Sequence, residues 1–238
     1  MGAAFNERSH VNYRSLRAPV AEFVGTLLFV LVGAGSVASQ VGGIGGNLGV
    51  ALANGLGLAI AVTIMMPISG GHLNPAVSVA LWIGNQIDAK TLGRYVAAQL
   101  LGAITAALLI KAVFPASMVR ITSLGTPSMS GAMGLFDGIV LEALFTFFLV
   151  SAVYGTAVSP QAQRVGGFAI GLTVVVCALG GGALTGAALN PARAFGPALV
   201  SWDWHGQAVY WIGPLLGAAA AAALWKYLLL PRSATDLT

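Results

Sequence analysis

Charge is what this chain has least of. Only 8% of its 238 residues are Asp, Glu, Lys or Arg, against about 25% in a soluble domain. That scarcity excludes a water-covered globular surface. The net charge of +4 is small, and the basic residues sit at the ends of apolar runs, where they set membrane orientation. No nucleic-acid partner is expected. Cysteine is nearly absent too. Cys177 alone rules out an intrachain disulfide and a cysteine metal cluster. His10, His72 and His205 show no metal-ligand spacing, and no nucleophile–base set appears, so neither a cofactor nor catalysis is expected. A cleavable leader is not expected either. The first 17 residues are polar, and the apolar run after them is too long for the core of a signal peptide.

What is present is apolar: 57% of the residues are hydrophobic and the mean hydropathy is +0.86. A membrane span needs about 20 mainly apolar residues. Six stretches qualify, near 18–40, 48–67, 92–114, 136–157, 165–182 and 207–230. Two shorter ones, near 75–84 and 191–201, each follow an Asn-Pro-Ala, at Asn74-Pro75-Ala76 and Asn190-Pro191-Ala192. Proline suits the first position of a helix, where its missing N–H has no partner to lose. Both stretches read as half-helices too short to cross.

The two Asn-Pro-Ala segments sit in matching flanks. A shift of 116 carries Asn74 to Asn190 and Gly55-Leu56 to Gly171-Leu172. A shift of 120 carries Glu22 to Glu142 and Thr26 to Thr146. A shift of 115 carries Tyr95 to Tyr210 and Leu101-Gly102-Ala103 to Leu216-Gly217-Ala218. The chain reads as an internal duplication. Three spans per half put the second copy in the opposite orientation, an inverted repeat with its half-helices meeting near the midplane. The expected fold is an all-α membrane protein of six transmembrane helices plus two re-entrant half-helices. Residues 1–17 form a cytoplasmic tail, and 18–238 form one domain of two repeats, about 18–120 and 130–230. Irregular backbone at membrane depth must be buried or line a watery cavity. Ser69-Gly70-Gly71-His72 and the run from Gly180 to Gly186 are expected to be that backbone. Small residues four apart, Gly167/Gly171 and Gly213/Gly217, suit close helix crossings. Arg8, Arg14, Arg17, Lys90, Arg94, Arg164, Lys226 and Arg232 share one side, with Lys111 and Arg120 opposite. Both termini are therefore expected in the cytoplasm, with the protein multi-pass in the plasma (inner) membrane.

From about Ala21 to Lys226 the chain resembles the aquaporins, the major intrinsic protein family. The resemblance is carried by Ala21-Glu22-Phe23 with Gly25-Thr26, by Ile68 to Val77, by Asn190 to Ala198 and by Tyr210 to Leu215. It implies an aquaporin-like right-handed bundle and a passive channel with one pore per protomer, assembled as a homotetramer in a lipid bilayer. It also implies that Asn74 and Asn190 present their amides to the pore centre. A carbonyl ladder would come from Gly70, Gly71, His72 and Leu73, and from Gly186, Ala187, Ala188 and Leu189. His72 either lines the cytoplasmic half of the pore or is tied into its loop. Glu22 and Glu142, expected to be the only carboxylates within the six spans, are either a proton-coupling site or acceptors holding the re-entrant loops; their symmetric placement favours the second. The resemblance implies a selectivity filter of Asn54, Ala178, Ala187 and Arg193. Here the chain departs from water-selective members, which carry an aromatic and a histidine at the first two of those positions, so a wider, more polar ring is expected. Ala194, Ala198 and Tyr210-Trp211 instead match the water type rather than the glycerol type. Cys177, beside Ala178, is expected to be an inert packed thiol. The expected function is passage of water, with small uncharged solutes such as ammonia, urea or hydrogen peroxide, and exclusion of protons and ions. The alternatives are a secondary transporter built on the same repeat, or a solute facilitator in which water is incidental.

Overall fold

A computed structural model describes residues 13–40, 46–163 and 165–231. Arg8, Arg164, Arg232 and His10 fall outside these residues. The elements in chain order are α1 (Tyr13–Ser39), α2 (Gly46–Ser69), α3 (Pro75–Ile83), α4 (Ala89–Val113), α5 (Ala116–Ile121), α6 (Leu135–Val153), α7 (Phe168–Thr185), α8 (Pro191–Ser201) and α9 (Gln207–Leu224). A single π turn continues α6 at Tyr154–Val158 and α9 at Trp225–Leu229. Among the described residues, six helices are long and apolar enough to cross a membrane. The short ones, α3 and α8, start at the two prolines of the repeated tripeptides.

Three expectations from the sequence need correction. The first helix begins at Tyr13 rather than after residue 17. Asp137 is a third carboxylate within a span, in the first turn of α6. The run from Gly180 to Thr185 is helical, and the chain leaves α7 only at Gly186, whose left-handed φ of 83° ends the helix. Among these glycines Gly181 serves packing, since a Cβ there would lie 2.5 Å from the Phe145 ring, whereas one on Gly180 would meet nothing within 4 Å.

Packing follows the repeat. Helix α1 lies on α4 as α6 lies on α9, and α2 crosses α7 at the centre. Glycine lets backbones touch at these crossings. A Cβ on Gly55 would meet Gly171 O at 2.5 Å, and one on Gly171 would meet Gly55 O at 2.2 Å. Gly102 fits against Phe23 O, and its mate Gly217 against Ala143 O, at 2.4 and 2.0 Å from the missing Cβ. The outside is apolar, with side chains such as Ile60, Leu101, Phe148, Val176 and Leu216 exposed, as lipid contact requires.

Candidate functional site

The centre of the molecule is built from two short stretches of irregular backbone, each feeding a half-helix. In the first, Gly70, Gly71 and Leu73 have φ of 90°, 61° and 52°. In the second, Gly186, Ala187 and Leu189 have φ of 83°, 44° and 53°. The three pairs match position for position at the shift of 116. Left-handed backbone is strained for leucine and alanine, so surrounding bonds must hold it.

Buried carboxylates supply them. Glu22 and Glu142 are both fully buried. Glu22 Oε1 accepts from Ser69 Oγ at 2.6 Å and His72 N at 3.0 Å, and Oε2 accepts from Leu73 N at 2.7 Å. Glu142 Oε1 accepts from Thr185 Oγ1 at 2.7 Å and Ala188 N at 3.0 Å, and Oε2 accepts from Leu189 N at 2.8 Å. Tyr95 and Tyr210 each donate a hydroxyl at 2.8 Å, to Ser69 O and Thr185 O. The first half carries an addition: Gln99 Nε2 donates to both Glu22 Oε2 and Ser78 Oγ, at 2.8 and 2.9 Å. His72 is tied in by the same group, its Nδ1 3.0 Å from Ser78 Oγ and its ring edge-on to Tyr95.

At the helix starts, Asn74 Oδ1 accepts from Ala76 N, and Asn190 Oδ1 from Ala192 N and Arg193 N. These are N-caps, and they fix which end of each amide is oxygen. The nitrogens therefore point the other way, each into the opposite half. Asn74 Nδ2 donates to Leu189 O at 2.9 Å, and Asn190 Nδ2 to Leu73 O at 2.8 Å. One hydrogen remains on each amide nitrogen. The Leu73 and Leu189 carbonyls thus each commit a lone pair to the opposite asparagine. Lys226 Nζ donates to Ile83 O at 2.8 Å, a cation placed where the half-helix dipole is negative.

Beside Arg193 lies a cavity of about 260 Å³. It brings together all four expected filter residues, Asn54, Ala178, Ala187 and Arg193. Its remaining wall includes Gly125 to Ser130, from the connection between α4 and α6, which folds over the opening. Arg193 is buried and donates from Nη1 to Gly125 O at 2.8 Å. Ser130 N, bonded to Leu184 O at 2.8 Å, anchors the other end. The Asn54 amide nitrogen is turned to backbone rather than to the cavity. Nδ2 donates to Val50 O at 2.9 Å and lies 3.4 Å from Gly33 O. Cys177 is buried beside this wall.

The sequence profile of the Major intrinsic protein family matches residues 9–225. This chain belongs to that family. It is 41% identical over 236 residues to the probable aquaporin TIP3-2 of Arabidopsis thaliana, covering 91% of this chain and 85% of the relative. It is 39% identical over 237 residues to aquaporin TIP1-1 of Zea mays, covering 94% and 91%. The aquaglyceroporin structure from Plasmodium falciparum has the same fold, with a TM-score of 0.81 over 94% of this chain and 99% of that one, at 24% identity. The protein is thus a multi-pass membrane protein of the family.

Sequence reading missed the side-chain bonds of Ser69 and Thr185 to the glutamates, and missed Ser78, Gln99 and Gly125 altogether. The first two fall at the shift of 116, so the repeat alignment could have found them. Gly125 has no mate in the other half, and nothing in the sequence marked it.

The connection over the cavity depends on acidity at one point. Ser123 hydrogen-bonds the Asp203 carboxylate, and His205 adds its N–H at 3.3 Å and Nδ1 at 3.0 Å; together these hold the Asp203 pKa below its ordinary value. This stabilisation is complete above the unfolded value of about 3.9 and is lost as pH falls through the lower folded value. Protection from hydrogen exchange across 122–134, taken relative to the intrinsic rate at each pH, should therefore fall below about pH 4. In Asp203→Asn the acid step should vanish.

Proposed function

We propose that this protein is a passive channel for water that also passes small uncharged solutes and excludes protons and ions. The reciprocal asparagine clasp carries the reading. A water molecule between the two half-helix starts accepts from the free hydrogen of each amide nitrogen. Its own hydrogens then point outward along the path, and a continuous proton wire is broken there. Two positive helix ends at the clasp, and the buried Arg193 beside the cavity, oppose cations. The two glutamates act as loop acceptors, since every strained loop residue bonded to them has a mate bonded to the other.

The Arg193 ring is wide. Ala178 and Ala187 are small, and Asn54 is turned toward the α1 backbone. Urea, ammonia or hydrogen peroxide would pass by size and find donors on Arg193. Arg17, Lys90, Arg94 and Lys226 at the terminal end, against Lys111 and Arg120 at the other, support cytoplasmic termini. The exposed apolar helix faces suit lipid and three further copies in a homotetramer.

Stopped-flow light scattering of proteoliposomes tests the reading. Loaded vesicles should shrink faster than empty ones, without saturation or an ion gradient. Urea or ammonia flux should also be measurable. Asn54→Phe with Ala178→His should suppress it while water flux largely persists. A water rate equal to that of bare lipid would sink the channel. Exclusion of both solutes would show instead that the 122–134 connection narrows the mouth.

A further inference from the structure

We infer that Gly33 sets the width of the channel at Arg193 by giving Asn54 a notch to withdraw into. The inference rests on the filter reading above and adds to it a residue in α1, a helix with no residue among the four filter positions. A Cβ built on Gly33 would lie 2.4 Å from Asn54 Oδ1, 3.0 Å from its Cγ and 3.6 Å from its Nδ2. These are the three nearest heavy atoms. The space a side chain at position 33 would need is thus held by the Asn54 amide and by nothing closer.

The rest of the geometry keeps the amide there. Nδ2 is bonded to Val50 O and faces Gly33 O, so its hydrogens point at backbone of α1 and α2. Asn54 is only 8% exposed although it borders the cavity. Alanine at position 33 would close the notch. It is the better helix former, so α1 itself is not weakened. The amide is the movable end of a side chain, and the open space next to it is the cavity. It would swing away from α1 into the ring, narrowing it and bringing amide hydrogens to face Arg193. Gly33 is therefore a positioning residue that acts through Asn54.

The test compares native protein, Gly33→Ala, Asn54→Ala and the double variant in proteoliposomes, with water and urea gradients in turn. Gly33→Ala should lower the urea-to-water ratio about tenfold, the change that ~1.4 kcal/mol of added barrier makes. Asn54→Ala should not lower it. The double variant should recover the native ratio or exceed it, because no amide is left to displace. An unchanged ratio in Gly33→Ala overturns the inference. So does a double variant as tight as the single, since the added methyl would then act by moving helices. If native protein excludes urea, the wide-filter reading fails first, and the same comparison is made on water flux: loss in Gly33→Ala with recovery in the double still supports the notch, and no loss overturns it. If Gly33→Ala does not accumulate, the double variant decides. Accumulation at the native level shows that Asn54 was the whole obstacle, and failure overturns the inference.

Discussion

Glu142→Gln should cost the protein its fold. The carboxylate is fully buried and accepts three hydrogen bonds, from Thr185 Oγ1, Ala188 N and Leu189 N. A glutamine keeps the shape but has one acceptor oxygen. With its nitrogen at the Oε2 position, Leu189 N–H faces an N–H; with it at Oε1, Ala188 N–H is opposed, while the Thr185 hydroxyl can turn to accept. Each buried donor left unpaired costs about 1–3 kcal/mol, and the amide adds its own unpaired hydrogens. Two or three such losses take several kcal/mol from a stability that is about 5–15 kcal/mol in ordinary domains. They also weaken the hold on Leu189, whose left-handed backbone is then tied only by Asn74 Nδ2 to its carbonyl. Yield after membrane extraction and a thermal scan in detergent measure the effect. A Gln variant as stable as the native protein would mean the loop is held by other groups. A stable variant that has lost only a proton-driven uptake would point to a transporter.

Arg193→Ala should make the channel leaky to monovalent cations and to larger neutral solutes. The guanidinium is buried against the cavity and bonded to Gly125 O. No other charged side chain lines that cavity among the described residues. A cation about 7 Å away, at an effective dielectric of about 20, meets a barrier of ~2.4 kcal/mol from that charge. Removing it should raise cation conductance roughly fifty-fold. The other filter side chains are small, so nothing replaces the lost bulk. Gly125 O also loses its donor, which loosens the connection over the mouth. Planar-bilayer conductance and glycerol flux in vesicles are the measurements. A variant as tight to ions as native protein would place the barrier wholly at the asparagine clasp.

Much of this architecture could be read from the chain. The spans were visible as apolar runs because lipid imposes length and composition together. Both half-helices fell within a residue or so of their expected limits, since Asn-Pro-Ala supplies a cap and a stop to earlier structure in three residues. The repeat shift foretold that Glu22 and Glu142 would do the same work. What stayed hidden depends on packing. Gly180 to Thr185 looked like loop because glycine disfavours a helix interior; the Phe145 ring, which leaves no room for a side chain on Gly181, explains why glycine stands there. Asn54 was found as a position, but a residue type does not reveal its rotamer, which the space at Gly33 decides. The connection over the cavity has no repeat mate, and its shape rests on Arg193 and Leu184, more than fifty residues away in sequence.

The clasp between Asn74 and Leu189, and between Asn190 and Leu73, joins residues 115 and 117 apart. It has a consequence for synthesis. When the first half of the chain has left the ribosome, Asn74 has a finished helix cap but no carbonyl for its nitrogen, and Leu73 has no donor for its oxygen. The first re-entrant loop must wait, at membrane depth, for a segment made more than a hundred residues later. Contacts of such long range form slowly, so the half-made protein has unmet polar groups where water is scarce. Neither repeat is a finished unit, and a nascent chain halted before residue 190 should be open to quality control until its counterpart arrives.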